Sequence, residues 1–187
     1  MTSDSTPAAA GQGAAGTPGR APSAEGLLTG VLELIRTSQR LDDISPARLK
    51  AVLGVDVEYA RDGSGRYGAG GTLAPGWTFG VEVIPSGEHG LTPRFSLEIL
   101  PEVADTAPDM GAICQPDFEQ IATRLQAMGL QRTPYRAEHG RYLYDEYTKG
   151  TLSIEVTPGA QLAPATMAIV HTCLRSIRIE RGGAGRV

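Results

Sequence analysis

No basic residue occurs from Phe95 to Thr123, aromatic side chains make up only 5% of the chain, and there are just three histidines, two cysteines and one tryptophan. Each scarcity excludes something. A net charge of −4 and a pI near 5.4, with lysines and arginines scattered, exclude the basic stripe that a nucleic-acid binder needs to displace counterions from phosphates. No apolar run approaches the roughly 20 residues that cross a bilayer as a helix. No charged-then-apolar secretory signal opens the chain, so the sequence reads as that of a soluble protein. None of the serines sits in G-x-S-x-G, and no nucleophile, base and orienting group stand out together. "GAGG" at 68–71 lacks the G-K-[ST] that completes a phosphate loop and reads as a turn. His89 and His139 fall in turn-like sequence, while His171 and Cys173 fall short of the three or four ligands that zinc requires. The expectation is a chain with no catalytic residues, no metal and no cofactor.

What is present is patterned. The first 25 residues are almost wholly Ala, Gly, Pro, Ser and Thr, a composition that buries too little apolar surface to offset chain entropy, and they read as a tether. Leu27, Val31, Leu34 and Ile35 then fall at helical spacing in "GLLTGVLELIRTSQ". A second helix is framed by Ser45 as cap, Pro46 at its first position and Gly54 as stop. Alternation in "VDVEYA", "GWTFGVEVIP" and "RFSLEIL" predicts strands, the last with Phe95, Leu97 and Ile99 on its buried side. After a loop over 101–113, Phe118, Ile121, Leu125 and Met128 stripe a third helix that ends at Gly129. "GRYLYDEY" and "TLSIEVTP" flank "TKG" as a hairpin. The last segment, "ATMAIVHTCLRSIRIE", fits either period, and its Thr, Ile and Val content favours a strand.

The two halves rhyme. "LKAVLGVDVEYARDGSGRYG" at 49–68 resembles "LQAMGLQRTPYRAEHGRYLY" at 125–144, with Leu, Ala, Tyr and Gly-Arg-Tyr in the same order, and "VEVIPSG" from Val81 is echoed by "IEVTPGA" from Ile154. The predicted fold is therefore α+β: an antiparallel sheet built from two similar helix-plus-meander units, about 45–100 and 115–180, with the helices on one face. The domain would span 26–180, followed by a flexible tail over 181–187. This layout resembles the tandem helix-plus-sheet architecture of beta-lactamase inhibitor proteins and of small outer-membrane assembly lipoproteins. The tether and acidic balance resemble immunity lipoproteins, which neutralise secreted bacterial toxins by covering their active sites. The resemblance implies a non-enzymatic protein of the periplasm or cell envelope, with a lipid anchor at a native N-terminus that this sequence lacks. A cytoplasmic protein is the alternative.

The run "RYLYDEYTKG" at 141–150 concentrates three of the six tyrosines. In an extended strand Tyr142, Tyr144 and Glu146 point one way, and Leu143, Asp145 and Tyr147 the other. Leu143 and Tyr147 suit the core, which sends Tyr142 and Tyr144 to the open face, where tyrosine offers contact area and a hydroxyl at little entropic cost. Tyr67, the repeat-equivalent residue, is expected beside them, and Glu82 and Glu155 hold matching outward positions. Such an aromatic, acidic face suits a basic protein partner, a toxin or an enzyme. Cys114 and Cys173 either form one disulfide, which would favour an oxidising compartment, or remain two buried thiols. Two other readings are a lipoprotein that scaffolds an envelope assembly and a small-molecule binder with a pocket between helices and sheet.

Overall fold

A computed structural model of the chain describes residues 22–86, 91–104, 106, 108–162 and 169–182, without the side chains of 160–162 and 169–171. Residues 1–21 of the expected tether, His89 and most of the expected tail lie outside the described residues.

Helix α1 (Ala24–Thr37) starts two residues inside the expected tether, because Ser23 caps it: the Ser23 Oγ accepts from the Gly26 N–H at 3.1 Å. Its apolar stripe, Leu27, Leu28, Val31, Leu34 and Ile35, is wholly buried. The α1 C-terminus is closed by Lys149, whose Nζ donates to the carbonyls of Ile35, Arg36 and Ser38 at 2.7, 2.6 and 2.9 Å. Helix α2 (Pro46–Leu53) has Ser45 as cap, Pro46 at its first position and Gly54 at φ 70 as stop. Helix α3 (Phe118–Ala127) opens on a reciprocal box: the Gln120 N–H donates to Asp117 at 2.8 Å and the Asp117 N–H to Gln120 at 3.1 Å.

The strands are β1 (Glu58–Tyr59), β2 (Tyr67–Ala74), β3 (Trp77–Ile84), β4 (Arg94–Pro101), β5 (Arg132–Arg136), β6 (Tyr142–Lys149), β7 (Leu152–Leu162) and β8 (Ile169–Arg181). They form one eight-stranded antiparallel sheet in the order β1-β2-β3-β4-β8-β7-β6-β5. The final segment is a strand, as its β-branched residues favour. "GAGG" is not a turn. Gly68, Gly70 and Gly71 lie inside β2, where Gly68 and Gly70 face Glu82 and Gly80 of β3. Glycine is needed at Gly68, since a Cβ there would lie 2.3 Å from the Val81 carbonyl oxygen. "VDVEYA" yields only the two-residue β1, and β5 was not anticipated.

Alternate residues of the sheet, among them Phe79, Val81, Phe95, Leu97, Ile154 and Ile179, join the helices' buried stripes in one core. The helices therefore cover one face of the sheet. The other face carries the intervening polar residues.

Candidate functional site

Strand register assembles the uncovered face row by row. One row runs Gly68, Glu82, Ser96, Arg178, Glu155, Glu146 and Thr133, and the next runs Gly70, Gly80, Glu98, Ser176 and Thr157. Oppositely charged residues meet loosely within it. Glu82 lies 3.5 Å from Arg66 and 3.4 Å from Arg94, and Arg178 lies 3.9 Å from Glu155 and 3.8 Å from Glu180. Ser153 donates to Glu146 at 2.7 Å. Open pairs at such distances contribute about 0–1 kcal/mol each, so they lay out charge more than they stabilise the fold. Tyr144 stacks on Tyr135 of the edge strand, with centroids 4.8 Å apart and planes 8° from parallel.

Of the six residues expected on this face, Tyr144, Glu82, Glu146 and Glu155 stand there, and two do not. Tyr67 pairs with Val83 on the helix side, is 8% exposed, and donates its hydroxyl to the Ile44 carbonyl at 2.7 Å. Burial pushes that hydroxyl's pKa up to about 12. Tyr142 also turns inward, packing edge-on to Phe118 of α3 with ring centroids 6.4 Å apart. The cause is a bulge: Tyr135 faces Tyr144 while the next residue, Arg136, faces Tyr142, so Leu143 is an extra residue that inverts the alternation.

The same inversion brings Tyr142 in beside Asp145 and Tyr147, which the plain alternation already sends inward under α3. Asp145 has no exposed surface and accepts from Arg132 Nε at 2.5 Å, while the same guanidinium donates to both Glu119 oxygens at 2.8 and 2.9 Å and lies over the Phe118 ring. These bonds hold Arg132 more firmly protonated and lower the Glu119 pKa, hydrogen bonding being the leading cause in both. The buried hydroxyl of Tyr147 has no hydrogen-bond partner among the described residues, and that of Tyr142 lies against the Asp145 carboxylate, burial and that contact pushing its pKa up. The chemistry of this cluster is that of a brace between α3 and the β5–β6 edge.

Cys114, just before α3, is bonded to Cys173 on β8 with Cα atoms 4.9 Å apart. Cys173 is therefore committed to that bond. His139 sits in a short turn at φ 60. Sequence reasoning missed Glu98, Arg178, Glu180 and Tyr135 as members of the face. The first three were within reach, because the alternation that buries Leu97, Ile177 and Ile179 sends their neighbours outward. No protein-family model, curated protein or solved structure matches the chain.

Proposed function

We propose that this protein is a non-catalytic binding module that covers a basic protein partner, a secreted bacterial toxin or enzyme, with the open face of its sheet. The observation that carries the reading is the face itself. Eight strands at about 4.8 Å spacing make it roughly 34 Å wide, the breadth of a protein interface. Five carboxylates, Glu82, Glu98, Glu146, Glu155 and Glu180, stand on it with Arg66, Arg94 and Arg178, and an aromatic pair closes one end. An acidic excess of this kind steers a basic partner toward the face and suppresses acidic ones.

Two further expectations belong to the same proposal. The chain is read as two copies of one unit, each a helix followed by four strands. The sheet order, with β1 to β4 contiguous on one side and β5 to β8 on the other, supports this, as does the equivalence of the inward Tyr67 and Tyr142. The protein is placed outside the cytoplasm, in the periplasm or cell envelope. That placement draws on the Cys114–Cys173 bond, which persists in oxidising compartments. A lipid anchor on the tether would hold it there, as the likeness to immunity and inhibitor lipoproteins implies.

The test is titration against the product of the adjacent gene and a panel of basic secreted hydrolases. Tyr144→Ala with Glu155→Arg is expected to weaken the interaction at least about tenfold while the unfolding midpoint stays close to wild type, because both side chains lie on the uncovered face. Absence of binding at micromolar concentration across the panel would count against the reading.

A further inference from the structure

Gly80 has no reason to be glycine that the fold supplies. It lies mid-strand in β3, facing the uncovered side. Its φ is not in the left-handed region, and a Cβ built on it would meet nothing within 4 Å. Gly68 and Gly70 of the neighbouring strand differ. A Cβ on either would approach a β3 carbonyl oxygen, at 2.3 and 3.1 Å respectively. A glycine inside a strand forgoes packing and adds unfolded-state entropy, and where the backbone does not need it, it marks a place where something else comes close.

What stands beside Gly80 is Glu98, its direct cross-strand neighbour, with Ser176 on the other side. Of the five carboxylates of the face, Glu98 alone has neither ion pair nor hydrogen bond among the described residues. Glu82, Glu155 and Glu180 are paired with arginines and Glu146 with Ser153. The row from Gly70 to Thr157 thus carries one long side chain, and that side chain is an exposed, unengaged acid. A depression of about 240 Å³ lies here, lined by Gly80, Glu82, Arg94, Ser96, Glu98 and Arg178.

We propose that Gly80 and Glu98 form the seat for a single arginine of the protein partner; the inference rests on the open face being the binding surface. The bare peptide of Gly80 is a flat floor on which a planar guanidinium lies, and the Glu98 carboxylate takes its forked N–H donors, a fit that lysine's point charge lacks. Arg94 and Arg178 at the rim are engaged with Glu82, Glu155 and Glu180. Those pairs leave the Glu98 carboxylate unneutralised.

The experiment is an amide NMR titration of the full chain with N-acetyl-arginine amide, with N-acetyl-citrulline amide as the uncharged analogue of the same shape. Saturable shifts centred on Gly80, Glu98 and Ser176 are expected, with a dissociation constant on the order of 10 mM for so small a probe. Citrulline should produce none. Glu98→Gln should weaken the probe about threefold to fivefold. Gly80→Thr should unfold at the same or higher denaturant concentration, since threonine favours strands and has room here, and should nevertheless abolish the shifts. Equal response to citrulline, shifts spread over the other acids, no saturable response, or full binding by Gly80→Thr would each overturn the seat. A protein partner that binds wild type and Glu98→Gln alike would remove the seat and keep the wider face. Arginine binding at Gly80 with no protein partner for the face would do the reverse.

Discussion

Arg132 holds Asp145, Glu119 and the Phe118 ring at once, and Asp145 is the one charged side chain among the described residues that is fully buried. A buried charge is tolerated when it is paired; stripped of its partner it costs about 3–5 kcal/mol. Arg132→Met should therefore lower unfolding free energy by about that amount, well beyond the loss of the exposed Glu119 pair, which is worth about 1 kcal/mol or less. Adding Asp145→Leu to the same chain should restore most of the stability, because it removes the charge that Arg132→Met leaves unpaired. Urea unfolding of both variants and of Asp145→Leu alone closes the cycle. A double variant as unstable as Arg132→Met would mean that the brace acts through the arginine's own packing and not through the pair.

At the scale of elements, Gly30 shows how an apparent weakness in a helix serves packing. Alanine favours helix interiors over glycine by about 1 kcal/mol, yet a Cβ at Gly30 would lie 2.6 Å from the Val52 carbonyl oxygen of α2. The two helices cross closely there. Gly30→Ala should destabilise by about 1–3 kcal/mol despite the better propensity, a loss readable as a lower urea midpoint; a gain would show that the α1–α2 contact yields easily. The three helices were legible in sequence because stripe, cap and stop agree in each, as at Ser45, Pro46 and Gly54. So were β3, β4 and the first half of β7, whose residues alternate, while β8, whose period is ambiguous, was legible from its β-branched content. β2 was not legible, because its glycines carry neither β-propensity nor hydrophobic period. β5 was hidden by Pro134 on an edge strand, where only one side of the backbone is paired. The site was half legible for one reason: parity reading assumes no inserted residue, and the bulge at Leu143 sends Tyr142 inward while leaving Tyr144 and Glu146 outward. Tyr67 was misplaced with Tyr142 because its position was inferred from the same parity through the repeat.

Across the whole molecule, the Cys114–Cys173 bond closes a loop over a sequence separation of 59 residues, from the lead into α3 to the strand that joins the two halves of the sheet. β8 pairs with β4 on one side and β7 on the other, so the bond ties the third helix to the centre of the sheet. Loop-closure entropy for a separation of this size puts its contribution near 4 kcal/mol. Replacing both cysteines by alanine should lower unfolding free energy by about 2–4 kcal/mol, measured in urea with and without reductant. Reductant should shift wild type toward the variant and leave the variant unmoved. The same bond makes the cellular placement measurable. Protein taken from its native host with thiols blocked before lysis should carry no blocking group at Cys114 or Cys173 until it is reduced. Two blocked thiols would mean that the chain works in a reducing compartment without this contribution, and the basic partner proposed for its open face would then have to be sought among intracellular proteins.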